Sequence, residues 1–184
     1  MTSRPVDAKL YRAVMGRFAT GVCVVTTQVG DEVHGATINS FTSVSLEPPL
    51  VLVSIDKRAR LHRYLELAGR YAVSVLSLAQ EAQSNHFAGR RQEGVQFDFD
   101  VRDGLPVLVG SLAYITARVV AAHPAGDHTL FVGHVESLEP HDGEPLLFFR
   151  GRYGRIDPAW QDAPIGPYSV IAMRQFLDDD EVVI

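Results

Sequence analysis

Val22-Cys23-Val24-Val25-Thr26-Thr27-Gln28-Val29 is rich in valine and threonine, which favour the pleated, half-buried surface of a strand. Gly30-Asp31 follows as a turn signal, and Val33 to Phe41 reads as the returning strand of a hairpin. Further along, Pro48-Pro49 breaks the chain and Leu50 to Ile55 reads as a buried strand. Tyr71 to Leu76 alternates. Leu112 to Ala122, Thr129 to Leu138 and Leu146 to Arg150 complete a set of six or seven strands. Most of these strands succeed one another through short turns rather than helices. That disfavours a parallel doubly wound sheet and predicts a mainly β, antiparallel barrel.

Three short helices flank the strands. Over residues 6–19, Val6, Leu10, Val14 and Phe18 recur every fourth position and Ala13 widens the stripe, which predicts an amphipathic helix. Thr2 or Ser3 would cap it, Pro5 suits its first turn and Gly21 its end. Residues 59–68 predict a second helix, with Leu61, Tyr64, Leu65 and Ala68 on one face and Gly69 after it. Ser77 and Gln80 form a capping box for a third, ending near Gly89. Residues 90–104 read as a polar loop. No internal repeat is visible. A domain over residues 1–155 is expected, with 156–184 as an extension. That extension carries Asp157-Pro158, Pro164 and Gly166-Pro167 and ends in an acidic run. It either wraps a partner subunit or is disordered.

The 184 residues fit one domain. The net charge is −5, and Asp178, Asp179, Asp180 and Glu181 supply four of the negative charges, so the remainder carries about −1. No basic stripe suggests a nucleic-acid surface. A nearly neutral body suits a protein that holds small anions at local sites. One cysteine, Cys23, excludes an intramolecular disulfide. Met1 to Pro5 lacks the apolar segment of a signal peptide, and no run approaches the ~18 apolar residues of a membrane helix. A soluble, cytoplasmic protein is the expectation.

The common catalytic signatures are absent. There is no GxGxxG after a strand, no GxxxxGK[ST], no HExxH, no CxxC and no GxSxG. His123, His128, His134 and His141 match no standard ligand spacing, so no metal is expected. Cys23 sits in an apolar run and reads as a packed core thiol.

Two polar segments remain. In Ala36-Thr37-Ile38-Asn39-Ser40-Phe41-Thr42-Ser43-Val44-Ser45, alternation turns Thr37, Asn39 and either Thr42 or Ser43 away from the core. An ordinary exposed β-face would look the same. A row of hydrogen-bonding partners for an extended polyol such as a ribityl chain is the functional alternative. Ser54-Ile55-Asp56-Lys57-Arg58-Ala59-Arg60 leads into the second helix, where free amides and the dipole favour a phosphate. Alone it would be a solvated basic turn. The strand of about 20 Å between the two segments gives the pair the span of a phosphorylated polyol.

At this point a family resemblance emerges. Phe18-Ala19-Thr20-Gly21-Val22-Cys23-Val24-Val25-Thr26-Thr27 is similar to the opening of the flavin reductase family with the FMN-binding split barrel. Gly35-Ala36-Thr37-Ile38-Asn39-Ser40-Phe41-Thr42-Ser43-Val44-Ser45-Leu46-Glu47-Pro48-Pro49-Leu50-Val51 closely resembles its central signature. Asn85 to Gly89, Gly126 to Gly133, and Pro145 to Gly151 with Tyr153 add shorter matches. The likeness spans roughly residues 8–155, and the central run is long and specific. It implies a split, Greek-key barrel of six to seven strands with flanking helices. Ala36, Thr37, Ile38, Asn39 and Ser40 would contact the flavin. Ser54, Ile55, Asp56, Lys57, Arg58, Ala59 and Arg60 would hold its phosphate. His128 would lie near the nicotinamide, while His86, Phe87, Ala88, Arg150 and Tyr153 would line the same pocket.

The implied activity is hydride transfer from NADH or NADPH to FMN, with FAD also open, by a homodimer that supplies a separate oxygenase with reduced flavin. Two alternatives stand beside it: another flavin chemistry on the same barrel, and a flavin carrier without turnover. The tail beyond residue 155 and the loop 90–104 depart from the family pattern.

Overall fold

The structure, a computed structural model, describes residues 6–90 and 93–157. The proposed caps Thr2 and Ser3, the residue Pro5 and most of the extension, including its acidic end, lie outside those residues. The chain begins with helix α1 (Ala8–Met15) and the short strand β1 (Thr20–Gly21). Then come β2 (Cys23–Val29), β3 (Glu32–Ile38), β4 (Phe41–Leu46) and β5 (Pro49–Asp56). Helix α2 (Arg60–Ala68) leads to β6 (Arg70–Val75), and a 3₁₀ turn at Leu78–Gln80 leads to α3 (Glu81–Phe87). The remainder is β7 (Phe99–Arg102), β8 (Leu105–Leu108), β9 (Ala113–Ala125), β10 (His128–Pro140), β11 (Leu147–Phe149) and β12 (Arg152–Gly154).

Seven strands form one antiparallel sheet in the order β3-β2-β6-β9-β10-β5-β4. Its two edges, β3 and β4, are consecutive in the chain and joined only by Asn39 and Ser40. Laid flat, seven strands would set those edges about 29 Å apart. Three Cα steps span at most about 11 Å. The sheet must therefore roll up until its edges meet. Six antiparallel steps separate β3 from β4, so both run the same way, and residues 32–46 act as one long strand. Its first half pairs with β2 and its second with β5. This is the split of the barrel, and it corrects the expected strand 33–41, because Phe41 opens β4 instead of ending the hairpin.

The interior is packed from β2, β5, β6, β9 and β10, with Val25, Val53, Tyr71, Val73 and Phe131 fully or almost fully buried. Each such side chain is worth about 1.5–3 kcal/mol on leaving water. Helix α2 plugs the barrel with Leu61 and Leu65, one turn apart on the same face. Strand β2 is buried on both faces, Cys23 and Val25 toward the interior, Val22 and Val24 toward Leu76, Leu108 and Leu146 outside. That explains its unbroken apolar run.

Three expectations need correction. Helix α1 is shorter than 6–19. Asp7 caps it, accepting from the Leu10 amide at 2.8 Å, and Gly16 rather than Gly21 ends it. Its apolar stripe is exposed, with Leu10 at 60% and Phe18 just beyond the helix at 71%. The expected loop 90–104 contains β7, paired with β8 through an Asp103-Gly104 turn in which both residues have positive φ. Asp-Gly between two apolar runs is itself a hairpin signal. Finally, Arg150-Gly151, with φ of 51° and 78°, turns the chain into β12 after Phe149.

Candidate active site

The corner between β3 and β4 is fastened on both sides. The Thr37 hydroxyl donates to the Ser84 carbonyl of α3 at 2.7 Å, and the Ser40 hydroxyl donates to the Ser54 carbonyl of β5 at 2.9 Å. Ala36 and Ile38 pack against the barrel core, which leaves Thr37 on the opposite face, as alternation requires. Asn39, between the two fastened residues, is exposed, and its amide has no partner among the described residues.

A small cavity of about 180 Å³ opens beside this corner. Thr37, Ile38 and Asn39 form one wall, and Ala88, Arg90, Phe148 and Tyr153 the others. The hairpin β11–β12 presents Phe148 and Tyr153 as an edge-to-face pair, ring centres 5.6 Å apart. Five expected residues, Thr37, Ile38, Asn39, Ala88 and Tyr153, thus meet here. Arg90 was not anticipated, because nothing local in the segment after α3 marks which cation borders the cavity.

A second cleft, of about 540 Å³, lies where β3, the start of α2 and the end of α3 converge. Ala36, Ala59, Arg60, His86 and Phe87 line it, all expected, together with Phe97 and Phe99. Four rings form a connected cluster, Phe97 lying 4.8 Å from His86, 5.0 Å from Phe87 and 5.8 Å from Phe99. Nδ1 of His86 is buried there with no hydrogen-bond partner among the described residues. Phe97 and Phe99 escaped sequence reasoning because they belong to the segment taken for a polar loop.

The segment from Ser54 to Arg60 divides by side-chain direction. Ile55 is 3% exposed and packed in the core, so only its backbone can meet a ligand. The Asp56 carboxylate accepts from the Arg58 amide at 2.8 Å and its guanidinium at 2.7 Å, which holds it far below the usual carboxylate range. Arg58 is thereby committed to Asp56. Lys57 donates from Nζ to the Gly126 carbonyl at 2.6 Å. What stays open is the start of α2. Its capping position is Ala59, no side chain caps its first amides, and Arg60 has no ion-pair partner among the described residues. Free amides beside an unpaired guanidinium are suited to an anion.

His128 begins β10, directly across from Asp56 of β5. Its Nδ1 lies 2.7 Å from the Asp127 carboxylate, and this contact keeps Asp127 below its ordinary range. The imidazole lines neither cavity. It is 40% exposed, near the turn that Lys57 ties to Gly126. Arg150 lines neither of these but a third cleft, of about 790 Å³, that it shares with Tyr153; its guanidinium sits over Phe149 and its amide donates to the Gly16 carbonyl at 2.8 Å. Burial pushes the Cys23 thiol up to about 12, so it offers no thiolate at neutral pH.

Residues 15–157 match the family described as flavin reductase like domain. The chain belongs to that family. The NADH-dependent flavin reductase of a Rhodococcus species is 48% identical over 158 residues, covering 84% of this chain and 90% of that protein. The reductase component of 4-hydroxyphenylacetate 3-monooxygenase from Thermus thermophilus is 42% identical over 147 residues, covering 79% and 95%. Among solved structures, the flavin reductase PheA2 in its native state superposes with a TM-score of 0.81 at 45% identity, covering 83% of this chain and 99% of that one. For this flavin reductase-like chain, the mainly β barrel and the family inferred from the central signature both stand.

Proposed function

We propose that the protein is a flavin reductase that oxidises NADH, passes the hydride to FMN and releases reduced flavin to a separate oxygenase. One observation carries the reading: the unpaired Asn39 amide and the uncapped start of α2 with Arg60 are linked through β5 by the Ser40–Ser54 bond. An extended ligand with polyol and phosphate groups fits that pair. Nδ1 of His86 and the Arg90 guanidinium, neither with a side-chain hydrogen-bond partner among the described residues, add polar groups that such a ligand could satisfy.

When bound, the flavin supplies the two-electron acceptor. The chain binds and orients. Thr37, Asn39 and Ser40 would hold the ribityl chain and ring edge, while Arg60 and the first amides of α2 would hold the phosphate. Phe148 and Tyr153 wall the ring from water. His128, more exposed, meets the nicotinamide only during encounter. Holding two rings in stacking distance replaces a bimolecular collision by an oriented one, which is the protein's main contribution. No side chain has to move a proton for the hydride step.

A homodimer belongs to this reading. The exposed stripe of α1 needs cover, and the cavity of about 180 Å³ is below the ~300–1,000 Å³ of ordinary ligand sites. A cytoplasmic location, where the nicotinamide donor is made, goes with it.

The test follows NADH and NADPH oxidation at the nicotinamide absorbance band, with FMN, FAD, riboflavin or no flavin. Flavin-dependent oxidation is expected, fastest with NADH and FMN, and Asn39→Ala should raise the flavin KM about tenfold, one charge-free hydrogen bond and its ordering. Flavin binding without oxidation would leave a carrier or another flavin chemistry.

A further inference from the structure

Ser84 sits in α3 at 0% exposure and holds three walls of the cavity without lining it. Its hydroxyl lies 2.8 Å from the phenol oxygen of Tyr153. Its carbonyl accepts the Thr37 hydroxyl at 2.7 Å and the Ala88 amide at 3.0 Å. Thr37, Ala88 and Tyr153 come from β3, the end of α3 and β12, and all three line the cavity beside Asn39.

A serine inside a helix commonly turns its hydroxyl back onto the carbonyl four residues earlier. Here the hydroxyl reaches out of the helix instead. Tyr153 belongs to a three-residue strand on a tight hairpin, and Ser84 is the only hydrogen-bond partner of its phenol among the described residues. The ring pair with Phe148 restrains the ring, while Ser84 fixes where its oxygen points.

We infer that Ser84 is a positioning residue for flavin binding, acting through Tyr153; this rests on the reading of the cavity as the flavin site. The hydroxyl pair aims the phenol of Tyr153 along the cavity wall. The doubly used Ser84 carbonyl keeps Thr37 and Ala88 in register with it. None of this requires Ser84 to touch a ligand.

The experiment is a double-mutant cycle on the full chain with FMN as probe. The dissociation constant is read from quenching of flavin fluorescence, the FMN KM and kcat from turnover. Ser84→Ala and Tyr153→Phe should each weaken FMN binding about 3- to 10-fold, the range of one hydrogen bond. The double variant should be no weaker than either single one, because both remove the same link. It also leaves no unpaired buried hydroxyl, so it folds even if Ser84→Ala is thermally weakened. For Ser84→Ala, kcat at saturating FMN should stay within about twofold. Losses that multiply in the double variant, unchanged FMN affinity in Ser84→Ala, or a fall in kcat alone would each overturn the inference. Asn39→Ala separates the levels: if it weakens FMN binding while Ser84→Ala does not, only Ser84's role falls. If neither does, the flavin site itself has been misplaced.

Discussion

His128 carries its imidazole on the carboxylate of the residue before it, with Nδ1 occupied at 2.7 Å and Asp56 as its cross-strand neighbour. The Asp127 carboxylate orients the ring through Nδ1, and the side chain is left 40% open to solvent. Such a group can meet a ligand that comes and goes but contributes little to one held in a closed cavity. His128→Ala is therefore expected to raise the KM for NADH about 5- to 10-fold while changing the KM for flavin less than twofold. Steady-state kinetics with each substrate varied in turn measures both. A larger effect on flavin would move His128 into the flavin site. The neighbouring residues show what a sequence can reveal at this scale. Thr37 and Asn39 were legible because strand alternation fixes which side chains leave the core. Ile55 shows the same rule in reverse, since its place in the phosphate segment says nothing of its burial, while the period of β5 does.

At the level of elements, local pattern and long-range path part company. The strands with strong Val and Thr content, the plug helix α2 and the Ser77 capping box were readable, because each rests on residues within one turn or two. The switch of residues 32–46 from β2 to β5 was not, because it depends on the sheet closing on itself. Nor were Arg90, which lines the smaller cavity with Ala88, and Phe97 and Phe99, whose rings meet Phe87 of α3. One element shows how closure is accommodated. β10 has a register shift at Val132/Gly133, and a side chain at Gly133 would run into the Tyr71 hydroxyl and ring and into Ala117. The Tyr71 hydroxyl is itself buried without a partner among the described residues, and burial raises its pKa beyond the ordinary phenol range. Gly133→Ala should cost about 1–3 kcal/mol through overpacking. Tyr71→Phe should be neutral or stabilising by up to about 1 kcal/mol, since it removes an unsatisfied group. Urea unfolding of the two variants and their combination checks this; a destabilised Tyr71→Phe would reveal a partner for the hydroxyl.

Across the whole molecule, the barrel is laced on its surface by carboxylates drawn into contacts that the unfolded chain lacks. Asp103 accepts from Ser137 at 2.5 Å and Thr116 at 2.7 Å, joining the β7–β8 turn to β9 and β10. Glu139 and Asp100 both receive Arg102, at 2.5 and 2.6 Å, and Asp56 receives Arg58. Each of these carboxyls is held below its ordinary value of 3.8 for aspartate or 4.5 for glutamate, chiefly by the hydrogen bonds just named. A carboxyl whose folded value is depressed binds protons less readily than in the unfolded chain. Its contribution to stability is complete above the unfolded value and is lost as pH falls through the folded one. The melting temperature should therefore change little from these groups between pH 5 and 7 and drop steeply below about pH 4. Because none of them is buried, added salt should shrink the drop. Asp103→Asn should melt lower than the parent at pH 6 and approach it at pH 3, since the charge it lacks is the charge that acid removes. Differential scanning calorimetry of parent and variant across that range decides the matter. A gap between the two that stays constant down to pH 3 would mean that Asp103 acts through its shape in the turn rather than through its charge.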